Sequence, residues 1–272
     1  MMISLGIAGA SMLVMAVIFS YILGWANKKF MVEVDPKIEE VKEALPGANC
    51  GGCGYLGCSD YAEAIVKKND PVNKCTVGGA ACAKEIAGIM GVEVGDMVAL
   101  RAIVHCNAPL SGRLGLTQYK GEPRCTSAQQ VAGVQGCTFG CLGFGDCVQA
   151  CNYDAIEVID GLARVDYKKC IGCGACSKAC PRGIISIQGF KEDILPVVAC
   201  SNKDKAKDAK AVCNNACVGC KACTKASDLF TVTNNLSKCS YDDYSAQKRE
   251  DVMNAMEKCP TGCIHFMGAA VK

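Results

Sequence analysis

Cys170, Cys173, Cys176 and Cys180, spaced C-x2-C-x2-C-x3-C and followed by Pro181, are set out to hold iron and sulfur. That spacing wraps a loop round a cubane cluster and sends its last thiolate to a second one. It is the densest run among 23 cysteines in 272 residues, and the chemistry it supports is electron transfer. A disulfide framework suits short secreted domains with even cysteine counts, not a long chain with an odd count. Zinc takes four thiolates, or a Cys/His mixture, in closed pairs. Consecutive C-x2 steps with only His105 and His265 in the chain suit zinc poorly, so a zinc-binding assembly platform stands as the alternative of a different class.

Other runs repeat the theme. Cys50, Cys53 and Cys58 lie in one glycine-rich loop with Cys75 seventeen positions further on, a 4Fe-4S site in which glycines admit backbone amides to the sulfurs. Gly52, Gly54 and Gly57 match a dinucleotide fingerprint by letter, but no strand is expected before them and the match is accidental. Cys137, Cys141, Cys147 and Cys151 precede the Cys170 run, and because the last cysteine of each run crosses over, Cys137, Cys141, Cys147 and Cys180 are assigned to one cluster and Cys170, Cys173, Cys176 and Cys151 to its twin. Phe144 stands roughly where a middle cysteine would, so Cys137 has to substitute for it. Cys217, Cys220 and Cys223, with Cys259 before Pro260, give a further cluster, so at least four 4Fe-4S clusters are expected. Cys106, Cys125, Cys200 and Cys213 are left in two similar prefixes and would make a fifth cluster if they met. Ser227 stands where a crossing cysteine would fall, stranding Cys239; Cys82 and Cys263 are read as packed thiols.

The elements that must position these residues are short, and the fold class is α+β. Asp35 caps a helix starting at Pro36, with Ile38, Val41 and Leu45 on one face. Ser59 to Lys68 reads as a helix carrying the chain round to Cys75, and Cys82 sits on another that ends at Gly91. Ala155 to Val165 is a hairpin by its Asp160-Gly161 turn. Gly183 to Gln188 is strand-like, and a second module is expected after the charged stretch Ser201 to Lys210, with a capped helix from Tyr241 to Lys258.

Met1 to Ala26 carries no charged side chain, and about twenty such residues span a bilayer as a helix. Trp25 and then Lys28 and Lys29 follow as interfacial and cytoplasmic flanks, placing the cluster domains on the cytoplasmic side of the inner membrane. No ionisable group lies in the span, so the chain is an anchored carrier and not itself a pump. The expected organisation is an anchor at 1–26, a linker at 27–35, a small helical 4Fe-4S domain at 36–100, a two-cluster ferredoxin-like module at 101–199 and a degenerate second module at 200–272. A formal charge of +2 gives no field for nucleic acid. No flavin or nicotinamide site and no nucleophile-base pair is legible, which excludes independent catalysis.

The charge-free anchor, the Cys50-Cys53-Cys58-Cys75 loop, the two-cluster module and the Cys259-Pro-Thr-Gly-Cys-Ile264 ending together resemble the B subunit of the Rnf complex over nearly the whole chain. The extra cysteines before each module resemble the longer form of anaerobic bacteria; the gap near Ser227 departs from it. The resemblance implies one component of a membrane assembly that passes electrons between reduced ferredoxin and NAD, coupled to Na+ or H+ translocation by partner subunits. It also implies soluble ferredoxin and other Rnf subunits as partners. The rival relay roles are donor to a redox-sensing regulator and component of another membrane redox complex.

Overall fold

The computed structural model describes residues 2–30, 35–95 and 98–268, and in the first helix the side chains at 9–10 and 12–30. Helix α1 runs Met2–Phe30, continuing through the first residues of the expected linker, and its described apolar side chains from Met12 to Trp25 are exposed. Part of the expected span, at residues 1–8 and 11, lies outside the described side chains. Among the described residues no helix is long and apolar enough to cross a membrane.

Helix α2 (Pro36–Ala44) starts as its residues dictate: the Asp35 carboxylate accepts the Lys37 N–H at 3.0 Å, and Pro36 occupies the first turn, where a missing N–H costs nothing. Ile38, Val41 and Leu45 close a core with Tyr61 and Ile65 of α3 (Cys58–Lys68) and Ile86 of α4 (Gly79–Met90). Helix α4 stops at Gly91, whose φ of +67° provides the left-handed cap. The buried Tyr61 hydroxyl donates to Pro71 O at 2.7 Å and accepts the Lys74 N–H at 3.0 Å. Those two bonds fix the return loop that delivers Cys75.

The rest of the chain is one pattern used twice. Strand β1 (Ala99–Val104) pairs antiparallel with β4 (Ile185–Phe190), and between them stands the hairpin β2 (Ile156–Ile159) and β3 (Leu162–Val165). Strand β5 (Ile194–Val198) pairs likewise with β8 (Ile264–Gly268), enclosing the hairpin β6 (Phe230–Thr233) and β7 (Leu236–Cys239). Both hairpin turns have two residues at positive φ, Asp160-Gly161 and Asn234-Asn235, the geometry that lets a two-residue turn match strand twist. Each turn receives a cluster loop at a glycine. A Cβ on Gly143 would fall 2.3 Å from Gly161 O, and one on Gly219 would fall 2.8 Å from Asn235 O.

Two expectations are corrected. The second module begins at β5, ahead of the charged stretch, because β5 is buried throughout and needs β8 as its partner. Within that stretch α8 (Ala206–Val212) buries Ala209 completely in the core of the first module, alongside Cys213 and Ala216, so the modules interlock. The expected helix from Tyr241 is shorter, α10 (Arg249–Glu257), which buries Val252 and Ala255. In the second module Ser227 turns the chain by accepting the Leu229 N–H at 3.3 Å, while Cys239 packs in a core that includes Tyr167 and Tyr241. Aromatic packing surrounds the stranded thiol there.

The two histidines tie the modules together. His105 Nδ1 lies 3.2 Å from Val198 O and its Nε2 2.8 Å from Ser186 Oγ, and His265 Nε2 lies 2.8 Å from Asn107 Nδ2. Burial lowers the pKa of both rings, which favours the neutral form that such bonds use.

Candidate metal centres

Most of the thiols lie in loops, but four sit on short helices: Cys125 on α5 (Cys125–Gln129), Cys147 on α6 (Asp146–Gln149), Cys176 on α7 (Ala175–Ala179) and Cys223 on α9 (Ala222–Ala226). Numbered by position along the fold, the first thiol site is Cys50, Cys53, Cys58 and Cys75. Burial pushes the Cys53 thiol up, and the proximity of Cys75, Cys50 and Cys58 adds to the rise, so the four share one neighbourhood. Cys151, Cys170, Cys173 and Cys176 line one cavity, the second site. The fifth lies among Cys217, Cys220, Cys223 and Cys259. The cysteines that spacing groups stand near one another in all three, with Cys263 added on the wall of the fifth.

The middle of the chain is arranged differently. Cys141, Cys147 and Cys180 line a cavity with Cys125, which makes the third site, whereas Cys137 lines another with Cys106, Cys200 and Cys213, the fourth. The expected sets exchange one member: Cys125 and Cys137 trade places. Asp146 is the cause. Its buried carboxylate accepts the N–H groups of Cys125 at 2.7 Å and Thr126 at 3.0 Å, holding the start of α5 against the Cys147 helix. Cys137 is held the other way, since Arg182 Nη1 donates to Cys137 O at 2.8 Å and Gly140 O at 2.7 Å, and Asn202 Nδ2 approaches Cys137 Sγ at 3.7 Å. Phe144 packs against Tyr119 at 5.3 Å between centroids and takes no ligand's place.

Burial pushes the Asp146 carboxyl up, but the N–H donations from Cys125 and Thr126 outweigh it and hold its pKa below the ordinary range. A carboxylate with a depressed folded pKa stabilises fully at neutral pH, and its contribution fades only as acid carries the pH down through that value. Asp146→Ala leaves the buried Cys125 N–H unpaired and frees the Thr126 N–H to water, so we expect a loss of about 1–3 kcal/mol in urea unfolding, undiminished at and above neutral pH. About four irons should go with it if Cys125 is released.

Do these sites suit an iron-sulfur cluster? Four of them form clefts of about 310 to 380 Å³, partly open to solvent, with five cysteines on the wall of the fifth site and four on each of the others. Backbone N–H groups point at the sulfurs: Ala102 N to Cys170 at 3.4 Å, Cys141 N to Cys106 at 3.4 Å, Ser237 N to Cys217 at 3.5 Å and Gly78 N to Cys75 at 3.3 Å. Such donors stabilise cluster thiolates and tune their potential. Beside Cys75 the Thr76 hydroxyl is buried with no hydrogen-bond partner among the described residues, a donor available to a cluster sulfur. Burial pushes the Cys147, Cys176 and Cys200 thiols up to about 12, so occupancy by metal has to displace their protons, and binding is coupled to folding and pH. Among the described residues no three His, Cys, Asp or Glu side chains converge as ligands of a single metal ion.

Comparison with known proteins agrees with this chemistry. Residues 45–77 match a family model described as "Putative Fe-S cluster", residues 163–186 one for a 4Fe-4S binding domain, and residues 212–266 one for the 4Fe-4S single cluster domain of Ferredoxin I. The chain is 41% identical to the B subunit of the Na+-translocating ferredoxin:NAD+ oxidoreductase complex of Acetobacterium woodii, over 97% of this chain and 77% of that protein. The chain belongs to the family of Rnf B subunits. Another relative in this family, the B subunit of the proton-translocating ferredoxin:NAD+ oxidoreductase complex of Clostridium ljungdahlii, is 34% identical over 93% of this chain and 89% of its own. The B subunit of an ion-translocating oxidoreductase complex of Methanosarcina acetivorans is 40% identical over 71% and 73%. As an Rnf B subunit, the chain carries multiple 4Fe-4S clusters and is one part of a larger oxidoreductase.

Three thiols, Cys125, Cys82 and Cys263, stand elsewhere than sequence reasoning put them, while Cys239 stands apart as expected. Cys125 belongs with Cys141, Cys147 and Cys180, and its only sequence signal is the acidic residue immediately before Cys147. Cys82 and Cys263 stand in hydrogen-bonding contact with the site cysteines Cys75 and Cys259 rather than apart from them. Cys239 lines none of the four cavities.

Proposed function

We propose that this chain is a single-file electron relay of five 4Fe-4S clusters within the Rnf complex, taking electrons from reduced ferredoxin and passing them toward NAD while partner subunits translocate the ion. Each cluster, when bound, accepts and releases one electron. The chain's own residues set the order. At the first site, the Gly52 backbone packs on Cys173 of the second, so closely that a Cβ there would fall 3.3 Å from Cys173 Cα. Tyr153, on the wall of the second site, also feels Cys50 and Cys75 of the first. Cys176 of the second contributes to raising the Cys147 thiol of the third. The third meets the fourth where the Cys141 N–H donates to Cys106 Sγ, and the fourth meets the fifth where the Cys217 N–H donates to Cys200 Sγ at 3.3 Å.

The observation that carries this reading is that unbroken series, together with exposure at its ends. Among all the cysteines only Cys50, in the first site, and Cys220, in the fifth, are exposed. A wire needs solvent-facing termini to meet its donor and acceptor and a shielded middle. Anchoring by α1 belongs to the same proposal, supported by the charge-free sequence from Met1 to Ala26 and by Lys29 Nζ standing 5.2 Å over the Trp25 ring at its flank. The anchor places the clusters on the cytoplasmic side. Purification from membranes with its complex should give about twenty irons per chain from five cubanes, a brown colour that bleaches with dithionite, and co-purifying membrane subunits. Recovery of about sixteen irons would remove the fourth site from the relay.

A further inference from the structure

The fifth site holds one thiol more than a cubane needs. Cys217, Cys220, Cys223, Cys259 and Cys263 all line the same cavity. Cys263 Sγ lies 3.6 Å from Cys259 Sγ and shares the cavity wall with Cys217, so it sits beside the cysteines assigned to the cluster. It is 2% exposed, and no cavity but this one includes it. Its position follows from the chain. The turn from Cys259 to Cys263 curls round the Cys259 sulfur, which accepts backbone N–H groups of Thr261 and Cys263, and the turn is then tied down by Ala199 N donating to Cys263 O at 2.8 Å.

We propose that Cys263 is a reserve ligand: the cluster of the fifth site can be held through either Cys259 or Cys263. This rests on the reading that the cavity holds a 4Fe-4S cluster. Both sulfurs reach the same wall of the cavity, and the tied turn brings them within van der Waals contact, so the exchange needs side-chain rotation and no backbone movement. The iron bond to the Cys259 sulfur breaks, one to the Cys263 sulfur forms, and the proton of the Cys263 thiol passes to the departing Cys259 sulfur. The iron keeps its oxidation state and the site its charge. With Cys259 bound, the Cys263 S–H is left to donate to a ligand sulfur, one of the contacts that adjusts a cluster's potential. No such spare stands beside Cys220, the exposed member of the set.

The test compares Cys259→Ala, Cys263→Ala, their double variant and Cys220→Ala in the chain purified with its complex, by chemical iron and by electron paramagnetic resonance of the dithionite-reduced protein. Both single variants at 259 and 263 should keep the wild-type iron content, with the resonance of one cluster displaced in Cys259→Ala. The double variant and Cys220→Ala should each lose about four irons. Loss of those irons from Cys259→Ala alone overturns the exchange, as does failure of Cys259→Ala to accumulate where Cys263→Ala accumulates normally. Full iron in Cys220→Ala would instead sink the cluster reading of this cavity.

Discussion

Replacing Cys137 and Cys141 together by alanine is expected to remove about eight irons per chain, whereas replacing Cys137 and Cys106 together removes only about four. The structure places Cys137 and Cys141 on the walls of different cavities and Cys137 and Cys106 on the same one. Two substitutions within one site delete the same cluster and cannot add; two in separate sites do. The grouping suggested by spacing, with Cys137 beside Cys141, makes the opposite forecast for both pairs. Chemical iron on the two double variants therefore decides between the arrangements without any assignment of spectra. Because binding energy at such sites is also folding energy, both variants should unfold at lower urea concentration than the parent, and Cys137 with Cys141 at the lower of the two.

That exchange shows where sequence stops short. Cys170, Cys173 and Cys176 share a cavity because the separations between them are shorter than one helical turn, so the local chain alone can close the loop. The Asp160-Gly161 turn is equally legible, since those residue types tolerate the positive φ that the turn imposes. A remote ligand is another matter. Cys125 and Cys137 are equally plausible by distance along the chain, and the choice is made by Asp146 and Arg182, whose partners are backbone groups with no signature of their own. Strands β1 and β5 are illegible for a related reason. Each is a short apolar run whose partner lies more than 65 residues away, so neither a tight turn nor a clean alternation announces the pairing. Without β5 the second module reads as starting only after the charged stretch, in which helix α8 plugs the first module with Ala209.

Cys200→Ala is expected to have the largest effect on electron flow. Cys200 stands at the joint between the modules: its sulfur accepts the Asn202 N–H at 3.4 Å and the Cys217 N–H at 3.3 Å, and the latter residue belongs to the fifth site. Burial pushes this thiol up to about 12, so as a free side chain it would stay protonated, and a metal bound there would have to displace that proton. The variant should lose about four irons. Ferredoxin-driven NAD reduction by the membrane complex should fall on the order of a hundredfold, at the upper end of what altered metal-site surroundings cost. The first three sites lie on one side of the joint and the fifth on the other, so dithionite should still bleach the remaining colour while ferredoxin reduces only part of it. Cys239→Ala is the control, a half-buried thiol on none of the four cavity walls, and should leave iron and turnover unchanged. Retention of full turnover by an iron-depleted Cys200→Ala would mean that electrons bypass the joint, and the single-file order would fall. A bypass would have to join the fifth site to the second or third directly, yet the backbone contact that reaches Cys217 from an earlier site is the one to Cys200.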